Sequence, residues 1–117
     1  MLALNAHLEN IDSFAKLLQN WDTYNADVIT PKSIAKAKEI VTKLYDTGIS
    51  IDGVFPMRNG GVQIELHIEK RDIEIEIKDD TANLLFFIAD SLLENESVYA
   101  TNDIFAHKIF DKNGTIV

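Results

Sequence analysis

Between residues 62 and 77 the chain alternates apolar and polar almost without a break: Val62-Gln63-Ile64-Glu65-Leu66-His67-Ile68-Glu69, then Lys70-Arg71, then Asp72-Ile73-Glu74-Ile75-Glu76-Ile77. A helix would smear this pattern around its circumference, whereas a strand sorts it cleanly onto two faces. The segment therefore reads as a β-hairpin with one buried apolar face and one face of carboxylates and a single imidazole. If Lys70 and Arg71 form a two-residue loop, Glu69 pairs with Asp72, Ile68 with Ile73, His67 with Glu74, Leu66 with Ile75 and Glu65 with Glu76. Glu65, His67, Glu74 and Glu76 then share a surface on which like charges sit about 5 Å apart across the strands. A longer loop would shift these neighbours.

The flanking segments supply what the hairpin must pack against. Over residues 5–20, Leu8, Ile11, Phe14, Ala15, Leu18 and Trp21 recur at three- and four-residue spacing after a capping Asn5, which predicts an amphipathic helix. Residues 21–29 mix turn formers with large aromatics and read as an ordered loop. Thr30 as N-cap and Pro31 at the first helical position open a second helix, with Ile34, Ala37, Val41 and Leu44 inward and Gly48 placed to end it. Ile49 to Met57 reads as a strand, marked by Pro56 as an edge or the end of a ladder. Arg58-Asn59-Gly60-Gly61 and Lys78 to Ala82 are turns. Residues 83–89, all apolar after Asn83, read either as a buried strand or as the start of a helix reaching Leu93. The strand is favoured, because the preceding turn is short and a three-stranded sheet wants a fourth. Thr101 is placed to cap a short C-terminal helix carrying Ile104, Phe105 and Ile109.

These elements describe an α+β fold, two N-terminal helices packed on one face of an antiparallel meander of about four strands, with a short C-terminal helix. At 117 residues the chain is one α+β domain spanning 1–117, and 46% hydrophobic with 26% charged residues are globular proportions. No apolar run approaches the roughly 20 residues of a membrane span, and the first residues lack the basic and apolar regions of a signal peptide. A cytoplasmic protein without membrane association is expected. The absence of cysteine removes disulfides and thiolate chemistry.

Net charge is −8 and unevenly spread, with seven acids against six bases in residues 1–58 and twelve against five in residues 59–117. That field repels phosphate backbones and attracts basic surfaces, so a basic protein partner is expected and nucleic acid is not. Neither G-x-S-x-G, a P-loop, G-x-G-x-x-G nor H-E-x-x-H occurs, and His7 and His107 lack the spacing of metal ligands, so no cofactor or catalytic residue is assigned. Lys32, Lys36 and Lys43 read as a solvated helix face. The acidic sheet face has three readings: a solvated surface, a protein-binding face, or a metal or acid/base site. Openness to water argues against the last. One of the rows Leu84/Phe86/Ile88 and Leu85/Phe87 must share the acids' face, so a cover is expected, either the C-terminal segment or a second copy in a homodimer.

Trp21-Asp22-x-Tyr24-x-Ala26, then Ile29-x-Pro31, Gly60-Gly61-Val62-Gln63-Ile64-Glu65-x-His67 and Ile73-Glu74-Ile75-Glu76-Ile77, together resemble a pattern in a family of small uncharacterised bacterial proteins. The resemblance spans roughly residues 17–77 and implies a bacterial origin and a similar α+β core, with no activity to transfer. Asn25 stands where such proteins carry glycine, which implies a capped loop here. The binding-surface candidates are Glu65, His67, Glu74, Glu76, Trp21, Asp22 and Tyr24. The expected function is a small acidic protein-interaction module, an inhibitor or antitoxin-like subunit. The alternative is a metal-binding protein or hydrolase using Glu65, His67, Glu74 and Glu76.

Overall fold

The computed structural model describes residues 4–68, 71–88 and 91–98, with side chains for 4–66 and 72–85. Helix α1 (Leu4–Ser13) runs into a 3₁₀ turn (Phe14–Lys16), and α2 (Pro31–Asp46) follows a loop. Among the described residues five strands come next, β1 (Gly53–Pro56), β2 (Val62–Ile68), β3 (Arg71–Lys78), β4 (Thr81–Ile88) and β5 (Ser91–Val98), in one antiparallel sheet of order β1-β2-β3-β4-β5. This is the expected α+β meander, lengthened by a fifth strand. The segment left open between strand and helix is strand β4, and the short helix expected from Thr101 lies outside the described residues.

The helices form one layer. Helix α2 lies on β2 and β3, and α1 packs against α2 and β1. Val62, Ile64, Leu66, Ile73, Ile75 and Ile77 are buried beneath them together with Ile40, Val41 and Leu44 of α2. Each such side chain contributes about 1.5–3 kcal/mol by leaving water, which makes this interface the main stabilising contact of the fold.

Both ends of α2 follow their sequence signals. The Thr30 side chain accepts from the Ser33 N–H at 3.1 Å, and Pro31 needs no donor partner in the first turn. At the other end Gly48 adopts φ +80, its N–H bonds the Tyr45 carbonyl and the Ile49 N–H bonds the Leu44 carbonyl, both at 3.0 Å. This Schellman closure uses Ile49 to finish the helix, so the strand expected from residue 49 starts only at Gly53.

Helix α1 is shorter than its periodicity suggests. It stops at Ser13, Leu17 is already extended, and Leu18, expected inside, is 77% exposed. Loop hydrogen bonds compete with another helical turn: the Asn20 N–H bonds the Ala26 carbonyl at 2.7 Å, the Asn20 side chain accepts from Asn25 N–H at 2.6 Å, and Asn20, Thr23 and Asn25 all take positive φ. Asn25 thus occupies a left-handed conformation that glycine or asparagine accepts most readily.

The β2–β3 register differs from the expected one by two residues. Ile68 pairs with Arg71, His67 with Asp72, Leu66 with Ile73, Glu65 with Glu74 and Gln63 with Glu76, leaving residues 69 and 70 between the strands. A slip of two keeps every side chain on its face, so hydrophobic alternation cannot distinguish the two pairings. Ties at the opposite end of the sheet distinguish them. Gly61 lies so close to β3 that a Cβ there would sit 2.1 Å from the Ile77 carbonyl oxygen, and Asp79, just after β3, is bonded to Thr30 and Ser33 of α2.

Candidate functional site

With the helices on one side, the odd positions of β2 and the even positions of β3 make the opposite face. Glu65 and Glu74 are direct cross-strand partners there, and both are half-buried. Glu74 is the most crowded carboxylate. Burial raises its pKa above the usual carboxylate value, and the negative charges of Glu65, Glu76 and Asp72 raise it further. Glu76 faces Gln63 on one side and Asn83 on the other, so the expected Glu65–Glu76 pair is replaced by Glu65–Glu74. His67 is in register with Asp72 rather than Glu74, and its side chain lies outside the described atoms.

The neighbouring strands bring apolar groups to the same face. Leu84 is fully buried on the helix side, which assigns Leu85, the partner of Glu74, to the acids' side. On β1, Phe55 pairs with Gln63 and is 47% exposed. Beyond Glu76, a depression of about 190 Å³ is lined by Met57, Asn59, Glu76, Ile77, Lys78, Thr81 and Asn83. Its ammonium group is already engaged, since Lys78 Nζ donates to the Asn59 carbonyl at 2.6 Å.

Trp21, Asp22 and Tyr24 belong to a separate construction. Asp22 Oδ1 accepts from the backbone N–H of Tyr24 at 2.8 Å and of Ala26 at 3.0 Å, while Oδ2 lies 2.7 Å from Arg58 Nε. Burial pushes the Asp22 carboxyl upward, but the two N–H donors and the Arg58 guanidinium outweigh it and hold the pKa below the ordinary value. Arg58 Nη2 also donates to the Tyr24 carbonyl, and the Asp27 N–H bonds the Arg58 carbonyl at 2.8 Å. Trp21 is half-buried, with its indole N–H on the Asp27 carbonyl at 2.8 Å. Tyr24 alone among the three stands out in solvent, at 73% exposure.

These bonds fasten the loop to the β1–β2 turn rather than to the acidic row. Arg58, read in the sequence only as part of a turn, is the residue that joins them. Its signal was its position beside Asn59-Gly60-Gly61, where a long basic side chain can reach a neighbouring loop.

The acidic face can attract cations and accept hydrogen bonds. Among the described residues no group of three His, Cys, Asp or Glu side chains is arranged to hold a metal ion, and no helix is long and apolar enough to cross a membrane. Comparison with known proteins finds no match among family models, curated sequences or solved structures.

Proposed function

We propose that the chain is a small interaction module that offers the acidic outer face of its sheet to a basic protein partner, as an inhibitor or antitoxin-like subunit of the bacterial cytoplasm. The supporting observation is the facing pair Glu65–Glu74 beside Glu76. Ion pairs between described side chains engage Asp12, Asp22, Glu39 and Asp80, while Glu65, Glu74 and Glu76 have no cation partner among the described side chains. Like charges directly opposite on a sheet destabilise it, and a partner's lysine or arginine relieves that repulsion on binding. Leu85 and Phe55 flank the acids with apolar surface of the kind that interfaces cover.

Capture from native-host lysate tests this reading with the parent and a Glu65→Gln/Glu74→Gln/Glu76→Gln variant. The expected result is a basic protein retained by the parent, released by salt and lost with the variant. Equal retention by both refutes the acidic face as the contact.

The direct opposition of two carboxylates also supports the rival reading of a metal-binding protein or hydrolase. Micromolar heats on titrating divalent metal, abolished by His67→Ala, would establish that rival. No heat at millimolar metal removes it. A second copy of the chain is the third occupant to test, and a concentration-independent monomeric mass in light scattering excludes it.

A further inference from the structure

We infer that the outer edge of β1 is built to refuse an added strand, so that any protein partner engages this sheet across its face through side chains and not by extending it at β1. The Met57 N–H bonds the Gly61 carbonyl at 2.9 Å, which makes that pair a hydrogen-bonded one. Alternation along an antiparallel ladder then turns the backbone groups of Phe55 toward β2 and those of Val54 and Pro56 outward, toward the side on which no described strand pairs with β1. An arriving strand would need a donor and an acceptor from each of those two residues.

Half of that set is unavailable. Pro56 has no N–H, and the Val54 carbonyl already accepts from Asn10 Nδ2 of α1 at 3.3 Å. The strand is also interrupted at its start. The Asp52 N–H bonds the Glu65 carbonyl at 2.8 Å although Gly53 is the register partner of Glu65, so the regular ladder ends at Gly53 and offers a short template. A missing donor and a carbonyl taken by a covering helix close the outward side of this four-residue strand.

The half of the inference that concerns a partner rests on the function proposed above, whereas the half that concerns the edge does not. The test is therefore made without a partner, on Asn10→Ala/Pro56→Thr, which restores the donor and vacates the carbonyl. Asn10 is exposed and threonine suits a strand, so circular dichroism and cooperative urea unfolding are expected to match the parent. Light scattering across a concentration series is expected to show the variant's mean mass rising about two-fold relative to the parent at the highest concentration. Should the double variant lose cooperative unfolding, Asn10→Ala alone carries the same test with a smaller rise. A folded variant with the parent's mass at every concentration overturns the inference. The outcome leaves the carboxylate variants to decide separately whether the acidic face binds anything.

Discussion

Thr30→Val removes one hydroxyl and little volume, yet that oxygen sits where α2 meets the sheet. Thr30 Oγ1 accepts from the Ser33 N–H at 3.1 Å and donates to Asp79 Oδ1 at 2.7 Å; the Ser33 hydroxyl, 2.6 Å away, accepts from the Asp79 N–H at 2.8 Å. Asp79 holds φ +53 in the β3–β4 turn, so the cap also stabilises a backbone conformation that a non-glycine residue adopts reluctantly. Losing an N-cap costs about 1 kcal/mol, and losing a hydrogen bond to a charged group about 1.5–3 kcal/mol. The sum is about 2.5–4 kcal/mol, a large part of the roughly 5–15 kcal/mol that stabilises a typical domain. In urea unfolding the midpoint is expected to fall by about 1–2 M with the slope unchanged. Thr30→Ser, which keeps the oxygen, should recover most of the loss. A double-mutant cycle with Asp79→Ala should give a coupling of at least about 0.5 kcal/mol. A loss below about 1 kcal/mol, or a serine variant as weak as valine, refutes the role assigned to this hydroxyl.

Glycine substitutions should rank by what a Cβ meets. At Gly61 the Cβ would lie 2.1 Å from the Ile77 carbonyl oxygen, and backbone must move, so Gly61→Ala should cost about 3 kcal/mol or more; at Gly48 nothing lies within 4 Å and only φ +80 is strained, so Gly48→Ala should cost about 1 kcal/mol. Calorimetric melting with the order reversed would contradict the close approach. Glu74 binds its proton more tightly folded than unfolded, so acidification stabilises the fold through this group, beginning near its raised pKa and complete below 4.5; conversely, that stabilisation is lost as pH rises. Glu74→Gln should therefore gain on the order of 0.5–1 kcal/mol at neutral pH and abolish the acid gain, and a neutral-pH loss would be contrary to the repulsion described. His7 is 3% exposed, its Nδ1 has no partner among the described residues, and burial lowers its pKa. The unfolded chain then takes up this proton first, so His7 contributes stability above pH 6.5 that is lost as pH falls through and below that value. His7→Leu should flatten stability between pH 7 and 5, and an unchanged slope would show that another group titrates there.

Elements whose signals are local were legible in the chain. The Thr30-Pro31 start and Gly48 stop of α2, Gly60 at φ +90 in its turn and Pro56 on an edge strand depend on single residues and their own backbone angles. The apolar rows of β2 and β3 were equally legible, because period two assigns faces regardless of what lies opposite. The early end of α1 was not, since Leu18 fits a helical stripe and only the bonds among Asn20, Asn25 and Ala26 make the loop preferable. The site was legible as a face and not as a set of pairs. Its carboxylates were identified on one side of one hairpin, but Glu74 rather than Glu76 opposes Glu65, and Asp22 is spent on the Tyr24 and Ala26 N–H groups and on Arg58.

The sequence by itself determined an α+β chain with an alternating hairpin, one side for the core and one side acidic. Tertiary structure alone decided which acids meet. A register shift by two leaves every local preference satisfied, so the choice falls to ties at the other end of the hairpin, Gly61 against Ile77 and Asp79 beneath Thr30, that the alternation of residues 62–77 does not encode.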